Sequence, residues 1–274
     1  MATLWLLANK ESFRGVADRF GVSKGSLHFY VMQVVEGLSA LVTRYIRWPS
    51  PEQYPATAER FERKGGFPGV LGCLDGTHIP IKGPSTHRDA FINRKGYASF
   101  QLQAVCDSQL RFTHIHTGNA GSVHDSRVYR NSDLKAMLTA HPLPAQYHLL
   151  GDSAYPLDSN LLVPYRDNGH LTERQKNYNN IHSSTRVHIE RAFGLLKCKW
   201  RRLHHLDMVL LDTIPKVIAS TCVLHNLILI HEGEDEAVIV DADGLDDALP
   251  TVDGPRVVQR RAAQQKREDI AAML

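Results

Sequence analysis

The stretch GCLDGTHIPIKGP, residues 72–84, sets one carboxylate, Asp75, inside a run that otherwise has the composition of a buried strand. Asp-Gly between apolar flanks is a strong two-residue turn signal, so one reading makes Asp75 and Gly76 the tip of a hairpin. The other makes Asp75 the end of a central strand, its carboxylate directed at a metal ion. The two are compatible, since a hairpin can follow such a strand end. Acids elsewhere in the chain bear on the choice.

Working outward, residues 70–74 and 78–81 flank Asp75 as β segments. Residues 99–106 pair with 110–117 across Asp107-Ser108-Gln109, where Asp107 is a turn former. A short helix is expected after Ser122, a short strand over 147–150, and polar loop over 164–181. Helix returns over 184–202 and from Pro215, a good first helical residue, to about His231. Upstream, Ser12 caps a helix bearing Phe13, Val16, Ala17 and Phe20. Gly21 ends it and Ser23 caps a second helix striped by Leu27, Val31, Val34, Leu38 and Leu41. That outline is helix-turn-helix-like. The expected organisation is thus a helical region over 1–48, a proline-marked connector over 49–66 and a main β-containing domain over 67–231. An acidic flexible segment over 232–255 and a basic helix over 256–274 follow.

The chain of 274 residues is 43% hydrophobic and 22% charged, the balance of a globular protein with one main core and a small helical addition. No apolar run reads as long enough to cross a bilayer, and no signal-peptide pattern opens the sequence. Cys73, Cys106, Cys198 and Cys222 form no CxxC pair, which argues for a reducing compartment and against a zinc ribbon. The net charge of +3 hides an asymmetry: residues 1–216 carry 27 basic and 18 acidic side chains, and nine acids fall between Glu232 and Asp253. A basic body suits a polyanionic partner.

Asp152 in HLLGDSAYPL again follows an apolar strand, and Asp125 in GSVHDSRVY falls in a first helical turn. In RVHIERAFGLLKCKWRRL the apolar face is Ile189, Ala192, Phe193, Leu196 and Trp200. Beside it run Arg186, Glu190, Gly194, Lys197 and Arg201: one acid, a glycine permitting close approach, and then cations. Hard divalent ions such as Mg²⁺ take few protein carboxylates, drawn here from strand ends and a facing helix. Capping and solvation explain each acid singly, but not their joint placement.

GCLDGTHIPI, GSVHDSRVY, GDSAYPL and HIERAFGLLKCKWRRL, in this order, closely resemble the motifs of the PIF/Harbinger transposases and their domesticated nuclease relative. The resemblance runs from about Gly69 to His231. It implies an α/β, RNase H-like fold, a mixed β-sheet flanked by helices, with a DDE acidic site. Asp75, Asp152 and Glu190 are the implied catalytic acids. Those three and Asp125 are the implied ligands of Mg²⁺ or Mn²⁺, and whether Asp125 or Asp152 is the middle acid stays open. Ala154 stands where the family commonly has glycine, and few residues precede the first expected helix.

The expected function is metal-dependent DNA endonuclease or transposase-like hydrolysis of phosphodiesters by a two-metal mechanism. Lys197, Arg201, Arg202, Arg94 and Lys95 would contact DNA phosphates. The alternative is a DNA- or protein-binding module that keeps the fold without cleavage; retention of the acids favours activity. LDGT is also similar to the haloacid dehalogenase phosphatase loop, but Cys73 stands where that chemistry needs its nucleophilic Asp. Expected partners are DNA, by resemblance a separate Myb-like DNA-binding protein, and a second copy of the chain as an open alternative, with no membrane. The expected location is the nucleus, with a cytoplasmic pool allowed; RRAAQQKR (260–267) reads equally as an import signal or a plain basic helix face.

Overall fold

The computed structural model describes residues 1–207, 211–233 and 257–274; most of the acidic segment over 232–255 lies outside these. Five strands form one mixed sheet: β1 (Val70–Pro80), β2 (Ser99–Cys106), β3 (Phe112–Ala120), β4 (His148–Leu150) and β5 (Leu161–Leu162). Their order is β3-β2-β1-β4-β5. The β1/β2 and β2/β3 pairs are antiparallel, the β1/β4 and β4/β5 pairs parallel. With helices on both faces, this is the mixed sheet of the RNase H-like fold.

No hairpin forms at Asp75-Gly76. β1 runs straight through, and its register with β2 is unbroken from Cys73↔Cys106 through Asp75↔Ala104 to Pro80↔Ser99. A tight Asp-Gly turn needs left-handed backbone, which neither residue adopts. The partner strand supplies a ladder on which the chain continues extended instead, and the Gly76 amide bonds the Asp75 carboxylate. Asp75 therefore sits in mid-strand rather than at a strand end. What ends beside it is β4, which pairs with β1 only as far as Cys73↔Leu150. At that point β1 changes from fully to partly buried, so Asp75 is the first residue of the strand to meet open space.

The helices are α1 (Ala2–Ala8), α2 (Phe13–Arg19), α3 (Lys24–Ser39), α4 (Val42–Tyr45), α5 (Tyr54–Gly65), α6 (Arg88–Phe91), α7 (Asp125–Asn131), α8 (Asp133–Ala140), α9 (Glu173–Lys199), α10 (Ile214–Glu232) and α11 (Val257–Met273). Ser12 and Ser23 accept from the amides of Gly15 and Ser26, capping α2 and α3 as their positions require. These N-terminal helices are no appendage. Leu6, Leu7, Val16, Leu27, Val31 and Val35 share one core with Ile79, Leu102, Phe112, Ile189, Phe193, Val217 and Ile218. On the opposite face, Leu71, Leu74, Val105, Leu149 and Leu161 pack with Tyr129 and Leu134 of α7 and α8.

Four further expectations are corrected. Pro55 does not hold residues 54–65 in a connector; it lies in the first turn of α5, where its missing N–H has no helical partner to lose. Nor is 164–181 all loop, because α9 begins at Glu173. Thr172 and Gln175 form a reciprocal capping box there, a signal present in the sequence and unused. By length and composition the segment Leu211–Glu232 would span a bilayer, yet over half of it is buried against the core. Last, the expected C-terminal basic helix forms as α11, but Lys266 and Arg267 are not part of a plain basic face. Lys266 donates to the carbonyls of Tyr147 and Ser159, and the Arg267 guanidinium lies 3.9 Å from the centre of the Tyr165 ring.

Candidate active site

Side chains alternate across a strand, and the two faces of β1 are identified by their neighbours. Cys73 belongs to the core under α9, its Sγ donating to the Thr185 carbonyl at 3.4 Å, and Asp75 shares its parity. Leu74 belongs to the core under α7, and Gly76 shares that parity. Asp75 accordingly faces α9, where Arg186 Nη1 donates to its Oδ2 at 2.8 Å; its Oδ1 accepts from the Gly76 amide at 2.7 Å. Arg186 and Glu190 are one turn apart on α9, and Arg186 Nη2 donates to Glu190 Oε1. One guanidinium thus bridges two acids from segments over a hundred residues apart. Asp75, Arg186 and Glu190 are 20%, 19% and 22% exposed at the side chain, enough for solvent contact but not free hydration.

Asp152 follows the end of β4 by two residues and is fixed by a 3.0 Å bond from the Ala154 amide to its Oδ1. Asp125 opens α7, approaches Gly76 from the other face of the sheet and accepts from Gln101 Nε2. Burial pushes the Asp75 carboxyl up to about 7, against the pull of Arg186 and with help from the Asp152 and Asp125 charges. The same desolvation, with Asp152 adding to it, takes Asp125 up to about 6, and Asp152 is also raised by burial. Like charges in a poorly solvated cleft disfavour ionisation. Clustered shifts of this kind characterise functional sites.

The sequence-predicted cations divide. Arg94 contacts the His124 ring and acts electrostatically on Asp125 and Asp152, which puts it at the rim. Lys95 is close enough to Lys197 to help depress its pKa, which burial takes down to about 8. Lys197 is not a surface cation; its Nζ donates to Thr77 Oγ1 at 2.7 Å and to the His78 carbonyl at 3.2 Å, clamping α9 to β1 beside Asp75. Arg201 is exposed. Arg202 is buried, donating to the Glu11 carbonyl at 2.9 Å and lying over the Phe13 ring, so its guanidinium is spent on holding the N-terminal helices. Gly194 permits no close packing, since a side-chain carbon there would meet nothing within 4 Å. It leaves the surface open one turn beyond Glu190.

Three participants went unassigned in the sequence. Arg186 was visible on the same helix face, at i, i+4 from Glu190, but was given no role. Gln101 gave no local signal. Tyr155 is buried with its hydroxyl unpartnered, and its ionisation is suppressed first by burial and then by Asp125, Asp75 and Asp152.

Among the described residues no group of three or more His, Cys, Asp or Glu side chains is spaced to hold a metal ion as it stands. The donor chemistry nonetheless fits a hard divalent cation. Asp75, Asp152 and Glu190 are all within the electrostatic reach of Arg186, Asp125 adds a fourth carboxylate, and carboxylate oxygens are the ligands such ions prefer. The charge now balancing these acids belongs to a side chain.

The DDE superfamily endonuclease family matches residues 74–226, a span holding all four acids. "Putative nuclease HARBI1" of Rattus norvegicus is 32% identical over 222 residues, 79% of this chain and 62% of that protein. The Homo sapiens protein of the same name gives the same identity and coverage. "Protein ALP1-like" of Arabidopsis thaliana is 28% identical over 239 residues, 81% of this chain and 58% of that protein. The chain therefore spans about 60% of the length of these relatives. No solved structure gives a significant match. A majority of the chain falls within the family match, the sheet is the expected mixed, helix-flanked one, and two of these relatives carry a nuclease name: the chain belongs to the DDE superfamily endonucleases.

Proposed function

We propose that this chain cleaves DNA phosphodiesters in a divalent-metal-dependent reaction, with Asp75, Asp152 and Glu190 as the acids that hold the ion and Asp125 beside them. The observation that carries this reading is the meeting of Asp75, Asp152 and Glu190 around one guanidinium, at the place where β4 stops and β1 continues. A structural ion pair needs one acid, not three from three segments. Bound Mg²⁺ or Mn²⁺ would supply Lewis acidity toward the scissile phosphate. The chain's own residues supply the rest. The Gly76 and Ala154 amides fix the Asp75 and Asp152 carboxylates, and Gln101 orients Asp125. Lys197 holds α9 and β1 in register, and Arg94, Lys95 and Arg201 flank the cleft as phosphate contacts. Arg186 is the cation at its centre. Of the two candidates for the middle acid, Asp152 is favoured, because it shares the Arg186 charge with Asp75 and Glu190 whereas Asp125 comes from the other face of the sheet.

Asp75→Asn tests the proposal. It keeps the side chain's size while removing the charge that binds a hard cation. Mn²⁺-dependent cleavage of duplex DNA should vanish, with melting close to the parent and metal-free DNA binding retained. Cleavage at the parental rate in a folded Asp75→Asn protein removes the assigned chemistry.

A further inference from the structure

The Arg186 guanidinium occupies the space through which Asp75 and Glu190 face one another. Its two terminal nitrogens are divided between them, Nη1 on Asp75 Oδ2 at 2.8 Å and Nη2 on Glu190 Oε1. The other oxygen of Asp75 already accepts from the Gly76 amide. A cation shared by Asp75 and Glu190 thus has to stand where the guanidinium now stands. It cannot stand behind it either, since a guanidinium has five donors, no acceptor and a positive charge that repels a second cation. The lack of a ready metal cage among the described residues follows from the same placement.

Why a cation is there at all is an electrostatic matter. Three carboxylates drawn into a cleft this poorly solvated repel one another, and buried anions without a counterion are strongly destabilising. Arginine is the side chain suited to bridging two carboxylates, and also to a bidentate grip on phosphate. It extends on a long stem from the same helix as Glu190, so rotation about its side chain frees both acids without moving α9.

We propose that Arg186 is a placeholder cation, which neutralises the acidic centre while no metal is bound and yields its carboxylates to the metal, turning its guanidinium toward a DNA phosphate. This rests on the nuclease reading above and adds to it a competition between a side chain and the ion.

The test is Mn²⁺ titration of the full chain by calorimetry, without DNA, for the parent, Arg186→Met, Arg186→Lys and Asp75→Asn. Arg186→Met should bind Mn²⁺ about tenfold more tightly than the parent, a typical size for coupling between two linked ligands. It should melt lower than the parent without metal and regain the difference when saturated. Arg186→Lys keeps the charge but cannot span both acids, and should fall between the two; it decides the matter if Arg186→Met does not fold. Parental or weaker Mn²⁺ affinity in the folded variant overturns the placeholder role and makes Arg186 a fixed positioning residue. If the parent binds Mn²⁺ through Asp75, as the Asp75→Asn control reports, that result leaves the nuclease reading intact. Absence of Mn²⁺ binding in every protein overturns both.

Discussion

A side-chain carbon on Gly76 would stand 2.5 Å from Oδ1 of Asp125 and 3.1 Å from Nε2 of Gln101. The glycine of the Asp-Gly pair is therefore not serving a turn. It is the gap in the α7-facing row of β1 through which the fourth carboxylate reaches the cleft.

Gly76→Ala should consequently act on the site more than on the fold. The backbone there is ordinary extended strand, so alanine brings no conformational strain. The clash falls on the movable ends of two side chains, and stability should fall by about 1 kcal/mol, the low end of the range for overpacking. Displacement of Asp125 should lower metal-dependent cleavage by about tenfold or more, in line with the sensitivity of catalysis to misplaced groups. Parental turnover in this variant would show that Asp125 takes no part.

The raised carboxyl pKa values set a pH dependence with a definite sign. Asp75 and Asp125 ordinarily titrate near 3.8 and in the fold near 7 and 6. Between these limits the folded protein holds protons that the unfolded chain has lost. Their contribution to stability therefore declines as pH rises from about 4 to about 7 and levels off above. His182 and His225, taken down to about 4 by burial, work in the opposite sense over much of the same window, so the carboxyl effect is read as a difference: Asp125→Asn should gain melting temperature relative to the parent as pH rises from about 4 to about 6. Mg²⁺ needs the ionised acids, so its upward shift in melting should be larger at pH 8 than at pH 5.5. An Asp125→Asn protein whose melting stays parallel to the parent from pH 4 to pH 6 would contradict the assigned burial of that acid.

Much of the fold was legible in the chain, and the limits have physical causes. Ser12, Ser23 and Gly21 announced α2 and α3 because caps act locally. The Asp75-Gly76 turn signal misled because pairing with β2 outweighed local propensity, a long-range effect that no window of sequence contains. The four acids could be picked out by their shared setting and by resemblance. Their neighbours could not: Gln101 and Tyr155 reach the cleft only through the order of strands and the packing of buried side chains. Arg202 failed in the opposite direction. Its sequence neighbours Lys199 and Arg201 suggested a basic surface, while Glu11 and Phe13, distant in the chain, bury it.

Arg202 and Arg201 should therefore separate in experiment. Arg202→Ala removes a charged donor from the Glu11 carbonyl and a cation from the Phe13 ring, and should cost about 2–3 kcal/mol. DNA affinity of the protein that remains folded should be unchanged. Arg201→Ala should be neutral for stability and should reduce the slope of log affinity against log salt by about one unit. Unequal salt slopes in the reverse order would return Arg202 to the DNA path.

Gly194 offers the sharpest test of where the DNA runs. It sits on α9 one turn past Glu190, with nothing within 4 Å of the place a side chain would start. Glycine inside a helix is unfavourable by about 0.8–1.0 kcal/mol relative to alanine, so Gly194→Ala should raise the melting temperature. That gain is forgone unless the open ground has a use. If duplex backbone passes over α9 between Glu190 and Arg201, the methyl of Gly194→Ala is small enough to be tolerated. Gly194→Trp should instead weaken DNA binding by about tenfold or more while melting at or above the parent temperature, because the ring projects into the occupied path. Gly194→Trp binding DNA as well as the parent does would move the nucleic acid off this face of α9.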